Sequence, residues 1–173
     1  MYLGEEYKIL DWFYIHFTEN NGMAFGMEFG GNWGKILLSL FRIVFVGFII
    51  SYILKLIRKN ADKILITSSS LILAGAIGNI VDGVFYGVLF SESYHQLASF
   101  LPEGGGYAPL FFGKVVDMFY FPIFKGYLPD WIPFWGGNYF VFFRPVFNIA
   151  DAAISIGVGL IIIFQKRVMK ELE

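Results

Sequence analysis

The sequence predicts an all-α polytopic membrane protein with three transmembrane helices and a small antiparallel β-element outside the bilayer. Composition is the first reason: 57% of the 173 residues are hydrophobic, 20% are aromatic and only 16% are charged, against about 25% charged in soluble domains. The second is the presence of three apolar runs near the length of about 20 residues that a helix needs to cross the hydrocarbon. The third is that Lys and Arg cluster at one end of every run, as the positive-inside bias requires. The chain reads as a single membrane domain, residues 1–173.

Along the chain, residues 1–35 come first as an outside segment with strands. Within it Trp12 to Phe17 is dense in aromatic and β-branched residues and ends at the turn-like Thr18-Glu19-Asn20-Asn21-Gly22. The first span is 36–57 and holds one charge, Arg42. The second, 64–82, is apolar apart from Thr67, Ser68, Ser69, Ser70 and Asn79. An extended loop region, 83–145, follows; it is rich in Gly, Pro and aromatics, with strand-like runs at Val115 to Phe121 and Tyr139 to Phe143. The third span, 146–164, contains a single ionisable group, Asp151. Lys55, Arg58, Lys59 and Lys63 crowd the turn between the first two spans, and Lys166, Arg167 and Lys170 follow the third. That turn and the C-terminal residues are therefore expected in the cytoplasm, and the aromatic region outside. Trp12, Trp33, Trp131 and Trp135 all fall in outside segments, where interfacial aromatics belong.

Several function classes drop out. A net charge of −1 gives no basic surface for nucleic acid. The absence of cysteine excludes disulfides and thiol chemistry. With His16 and His95 as the only histidines, no Ser/His/Asp triad suggests itself, and neither a metal nor any other cofactor is implied. What remains is a set of polar residues that an apolar chain keeps at a cost, about 2.5–3.5 kcal/mol for a carboxylate in a membrane helix. Asp151 is five residues into its predicted helix, roughly 7–8 Å below the outer end, with Asn148 on the same face. Asn79 and Asp82 are also three apart and reach the outer boundary, and Asp117 lies within an outside apolar run. Residues at one depth read either as a hydrogen-bonding network that packs helices or as a site. If a site, two carboxylates sharing one proton form a hydrolytic device, one accepting a proton from water and the other polarising a carbonyl.

Four motifs, in order, give that device a family. Asn20-Asn21-Gly22-Met23-Ala24-Phe25-Gly26 resembles the N-x-G-x-A-F motif of the lipoprotein signal peptidases (signal peptidase II). Gly75-Ala76-Ile77-Gly78-Asn79-Ile80-Val81-Asp82 resembles their G-x-x-G-N-x-x-D-R. Val115-Val116-Asp117-Met118-Phe119 resembles V-V-D-F, and Pro145 to Ile154 resembles P-x-F-N-x-A-D-[SA]-x-I. The resemblance implies an aspartic endopeptidase of the bacterial inner membrane, acting as a monomer at the periplasmic face. Its partners would be membrane lipids and a prolipoprotein, cut before a lipobox cysteine that carries diacylglycerol. By matching positions, Asp117 and Asp151 are the catalytic pair. Asn20, Gly22, Asn79 and Asn148 orient substrate or support the pair, and Asp82 is a structural partner. The family pattern has four membrane helices, the first followed by D-Q-x-x-K; neither is found here, and Met1 falls just where that first helix should have ended. The Arg expected after Asp82 is Gly83, and Arg144 or Arg42 is expected to supply the missing charge. Residues 84–116 form an insertion, read as a lid over the substrate groove or as an ordered interfacial loop. The rival reading from another class is a proton-coupled transporter or channel subunit with buried acids; a structural membrane protein is a further one.

Overall fold

A computed structural model of the chain describes residues 1–22 and 31–170. Its order is β1 (Glu6–Leu10), β2 (Phe13–Asn20), α1 (Gly31–Arg58), α2 (Lys63–Leu89), β3 (Val115–Tyr120), β4 (Phe124–Tyr127), β5 (Tyr139–Phe142), β6 (Val146–Phe147), α3 (Ile149–Ile163) and α4 (Gln165–Lys170). Two of these helices, α1 and α2, are long and apolar enough to cross a membrane. Leu37, Phe41 and Phe48 of α1 stand about two-thirds exposed at 69%, 66% and 69%, an apolar surface suited to lipid rather than water.

Two expectations need correction. The fold is not all-α, because strands β1, β2, β3 and β6 form one antiparallel sheet in that order and β4 pairs with β5 in a second. The third span is also not a single helix over 146–164. Val146 and Phe147 pair with Tyr120 and Phe119 of β3, and α3 starts only at Ile149, at about 22 Å too short for a hydrocarbon layer of about 30 Å. The reason is local. Asn148 caps the helix, its side chain accepting from Asp151 N–H at 2.9 Å while Asp151 accepts from Asn148 N–H at 3.3 Å. A capping box at that position starts the helix there, so apolar character before it goes into a strand. Asp151 consequently sits in the first turn, shallower than its place in a longer helix predicted.

Helix α2 departs the other way, running on to Leu89 rather than ending near Asp82. At about 1.5 Å per residue its 27 residues extend about 40 Å, so one end projects beyond the hydrocarbon. Its start is fixed by Asp62, whose Oδ1 accepts from Ile64 N–H at 2.8 Å. Asp62 Oδ2 also accepts from Arg167 of α4, with Nη2 at 2.5 Å, over a small core of Leu56, Ala61, Leu65 and Val168. Residues after α2 fold back along its projecting end, with Ala108, Phe111 and Gly113 N–H groups donating to the Gly87, Val84 and Gly83 carbonyls at 2.9, 3.1 and 3.0 Å. The insertion is thus docked on the helix.

In the sheet, β2 extends through the stretch Thr18–Asn20 that the sequence marks as a turn. It is held there by pairing with β3, Thr18 opposite Asp117 and Asn20 opposite Val115. That register is what carries one end of the first motif to the third.

Candidate active site

Close packing of α2 on α3 begins the site. Gly75 faces the Ala150 carbonyl and Ile154, Gly78 faces the Ala150 methyl, and Gly157 faces Ser68 and Ile72. A Cβ at Gly75 would lie 2.6 Å from Ile154 Cγ1, inside van der Waals contact. Absent side chains let the two backbones approach, which brings Asn79 of α2 to Asp151 of α3. The glycines of the second motif therefore have a steric reason for being there.

Three asparagines then join the two acids. Asn79 Nδ2 donates to Asp151 Oδ1 at 2.9 Å. Asn148 Nδ2 donates to Asn79 Oδ1 at 3.1 Å and to Asp117 Oδ1 at 2.8 Å. Asn20 Nδ2 donates to Asp117 Oδ2, and its own Oδ1 accepts from Gly22 N–H at 2.5 Å. Each amide uses both its ends, and the orientation of Asn148 is fixed because its oxygen faces a backbone N–H, which can only donate. The result is a continuous chain, Asp151–Asn79–Asn148–Asp117–Asn20, drawn from β2, β3, α2 and the start of α3.

Asp117 is 5% exposed. Burial, and then the negative charge of Asp151, push its carboxyl up to about 6, against the opposing effect of the hydrogen bonds from Asn20 and Asn148. Both acids line a cavity of about 440 Å³ together with Asn20, Gly22, Arg42 and Asn79. Strand β3 divides this cavity from a second one of about 390 Å³, walled by Gly75, Gly78, Ala150 and Met118. Asp82 lines the second cavity, not the first. Its Oδ2 accepts from Val116 N–H at 3.3 Å, so it ties β3 to α2 directly behind Asp117.

Of the two basic candidates, Arg42 reaches the site and Arg144 does not. Arg42 donates to the Gly22 carbonyl and lies near enough to Asp151 to be attracted by it. Arg144 is exposed and lines neither cavity. Glu19, Ser93 and Lys114, which belong to none of the four motifs, meet beside Asn20. The available signal was a charged residue directly preceding each of two motifs, Glu19 before Asn20 and Lys114 before Val115. The Met23 to Gly26 half of the first motif lies outside the described residues.

Comparison with known proteins gives the family. The family model described as signal peptidase (SPase) II matches residues 1–166. Two Porphyromonas gingivalis proteins named lipoprotein signal peptidase are each 54% identical over 168 residues, covering 96% of this chain and 73% of theirs. One from Amoebophilus asiaticus with the same name is 41% identical over 167 residues, covering 95% and 66%. Two solved structures described as bacterial membrane enzymes share the fold. One has a TM-score of 0.57 at 23% identity over 99% of this chain and 77% of that one; the other has 0.55 at 26% over 94% and 76%. A match that takes in the strands, the helices and all the acids and amides of the site leaves one conclusion, that the chain belongs to the signal peptidase II family.

Proposed function

We propose that the protein is an aspartic endopeptidase that removes the signal peptide of diacylglyceryl-modified prolipoproteins, with Asp117 and Asp151 as the catalytic pair. The observation that carries this is the single cavity lined by both acids and braced by Asn20, Asn79 and Asn148. Asp117, whose surroundings raise its pKa, holds the shared proton and donates it to the scissile carbonyl oxygen. Asp151 takes a proton from water, and the resulting hydroxide adds to the carbonyl carbon. Collapse of the tetrahedral intermediate breaks the C–N bond as the proton on Asp151 passes to the leaving amine, and the hydroxyl formed on the carbonyl oxygen returns its proton to Asp117. Both acids come from one chain, so a monomer suffices.

The location proposed is the periplasmic face of the inner membrane. Support comes from the basic residues Lys55, Arg58, Lys59 and Lys63 between α1 and α2, at the end opposite the site. A lipid anchor on the substrate cysteine would hold the scissile bond at a set depth, and a site at the outer ends of α2 and α3 meets it there. No observation favours a proton-coupled transporter.

Purified protein mixed with a diacylglyceryl-modified prolipoprotein tests the proposal. The wild type is expected to release the signal peptide. Asp117→Asn and Asp151→Asn should each lose activity by about 10²–10⁴-fold, the usual worth of a positioned acid or base, with the thermal unfolding transition retained. Cleavage by either variant at wild-type rate would overturn the catalytic pair.

A further inference from the structure

Beside the catalytic network lies a second polar cluster that the hydrolysis does not use. Glu19 immediately precedes Asn20 on β2, and its side chain is 8% exposed. Its Oε1 accepts from Ser93 Oγ at 2.5 Å, and its Oε2 accepts from Lys114 Nζ at 2.9 Å. Ser93 is 1% exposed, and its carbonyl accepts from Leu3 N–H at 2.9 Å. Lys114 immediately precedes β3. Its backbone N–H donates to the Tyr107 hydroxyl at 2.7 Å, and its ammonium lies 5.3 Å from the centre of the Tyr107 ring. Next to it, Gly113 is tied to the Gly83 carbonyl, beside Asp82.

Glu19 is therefore where three segments cross: β2, the segment after α2, and the start of β3. Alternation along a strand sends Glu19 and Asn20 to opposite faces. Thus the face bearing Asn20 looks onto Asp117 while the other is clamped by Ser93 and Lys114. A buried carboxylate with two partners, one charged, resists displacement, because moving away strands a charge without hydrogen bonds. Holding Glu19 in this way restrains its neighbour Asn20 from shifting along or away from β3.

We propose, resting on the peptidase reading above, that Glu19 is a positioning residue of this enzyme. Clamped by Ser93 and Lys114, it holds the Asn20 amide on Asp117, and the segment between α2 and β3 is thereby part of the active-site support. The effect runs through Asn20, so Glu19 matters only while Asn20 is present.

A double-mutant cycle on the full chain tests this, using cleavage of diacylglyceryl-modified prolipoprotein. Glu19→Gln, Ser93→Ala and Asn20→Ala are made singly, and the first two are each combined with Asn20→Ala. The expected result is that Glu19→Gln lowers kcat by about tenfold to a hundredfold, the cost of a small misplacement, with KM within about twofold. The doubly substituted proteins should be no slower than Asn20→Ala alone. The alkaline limb of the kcat/KM profile should also move to higher pH in Glu19→Gln. Asp117 would lose an amide that favours its ionised form and so keep its proton longer. Additive losses in the cycle, or a Glu19→Gln protein as fast as wild type, overturn the proposal while wild-type cleavage leaves the peptidase reading standing. A wild type that fails to cleave sinks both. Should Glu19→Gln not fold, the Ser93→Ala arm decides by the same criterion.

Discussion

At the scale of single residues, the site is a problem of placing two like charges in a poorly solvated cleft. Asp117 meets it by keeping a proton, its pKa raised to about 6 from an ordinary 3.8 by burial and by Asp151. The sign of the consequence follows from linkage. Between about pH 4 and 6 the folded protein holds a proton on Asp117 that the unfolded chain has released. This group's contribution to stability is therefore full below pH 4, is lost as pH rises through 6 and stays flat above. Asp117→Asn, which cannot ionise, should accordingly gain on wild type by on the order of 1–3 kcal/mol as pH rises from 4 to 7.5, on top of a constant loss because its amide nitrogen meets the Asn20 or Asn148 donor. Only the pH-dependent part should vanish by pH 4. Thermal midpoints in detergent across this range measure it, and a constant difference at all pH values would show that ionisation is not the cause. On the proposed mechanism activity has the complementary dependence: kcat/KM should fall as pH rises above about 6, as Asp117 gives up the proton it would donate.

At the scale of elements, the distance between Asn79 and Asp151 is set by how near α2 and α3 come, and that by Gly75, Gly78 and Gly157. Gly75→Val should push the helices apart, lowering stability by about 1–3 kcal/mol as overpacking does. Cleavage should drop at least tenfold, since small displacements of catalytic groups are costly. Gly83→Ala is the control, because nothing lies within 4 Å of a Cβ there; it should leave cleavage unchanged and raise stability slightly, Ala being the better helix former by about 1 kcal/mol. Equal effects from the two substitutions would remove close helix approach as the explanation. The capping box at Asn148 belongs to the same scale. It ends β6, begins α3 and points the Asp151 carboxyl back toward Asn79, so one local motif sets both the fold boundary and the direction of an acid.

At the scale of the whole molecule, the sheet and the helical ends close over one end of the helices, and basic residues gather at the other. With no cysteine among these 173 residues, introduced ones report sidedness directly. Lys59→Cys should be labelled by a membrane-impermeant maleimide only after the inner membrane is opened, and Glu103→Cys in intact spheroplasts. Labelling of both from the same side would refute the periplasmic placement of the site.

What the sequence determined by itself was the membrane class and the family, and it also marked the candidate acids and amides. These depend on residue type and on spacing within short segments: an apolar run needs no partner to prefer lipid, and Pro145 to Ile154 is local in the chain. What only the tertiary structure decided was which element each segment joins. Val146 and Phe147 are as apolar as the helix after them, yet they pair with β3, because Asn148 and Asp151 satisfy the helix end three residues later. Thr18 to Asn20 has turn composition but is a strand, because β3 offers it backbone partners. Arg42 and not Arg144 reaches the cavity, and Glu19 meets Lys114 across β2 and β3. Pairings between residues so distant in the chain depend on register and helix packing, and residue type along a single segment does not encode either.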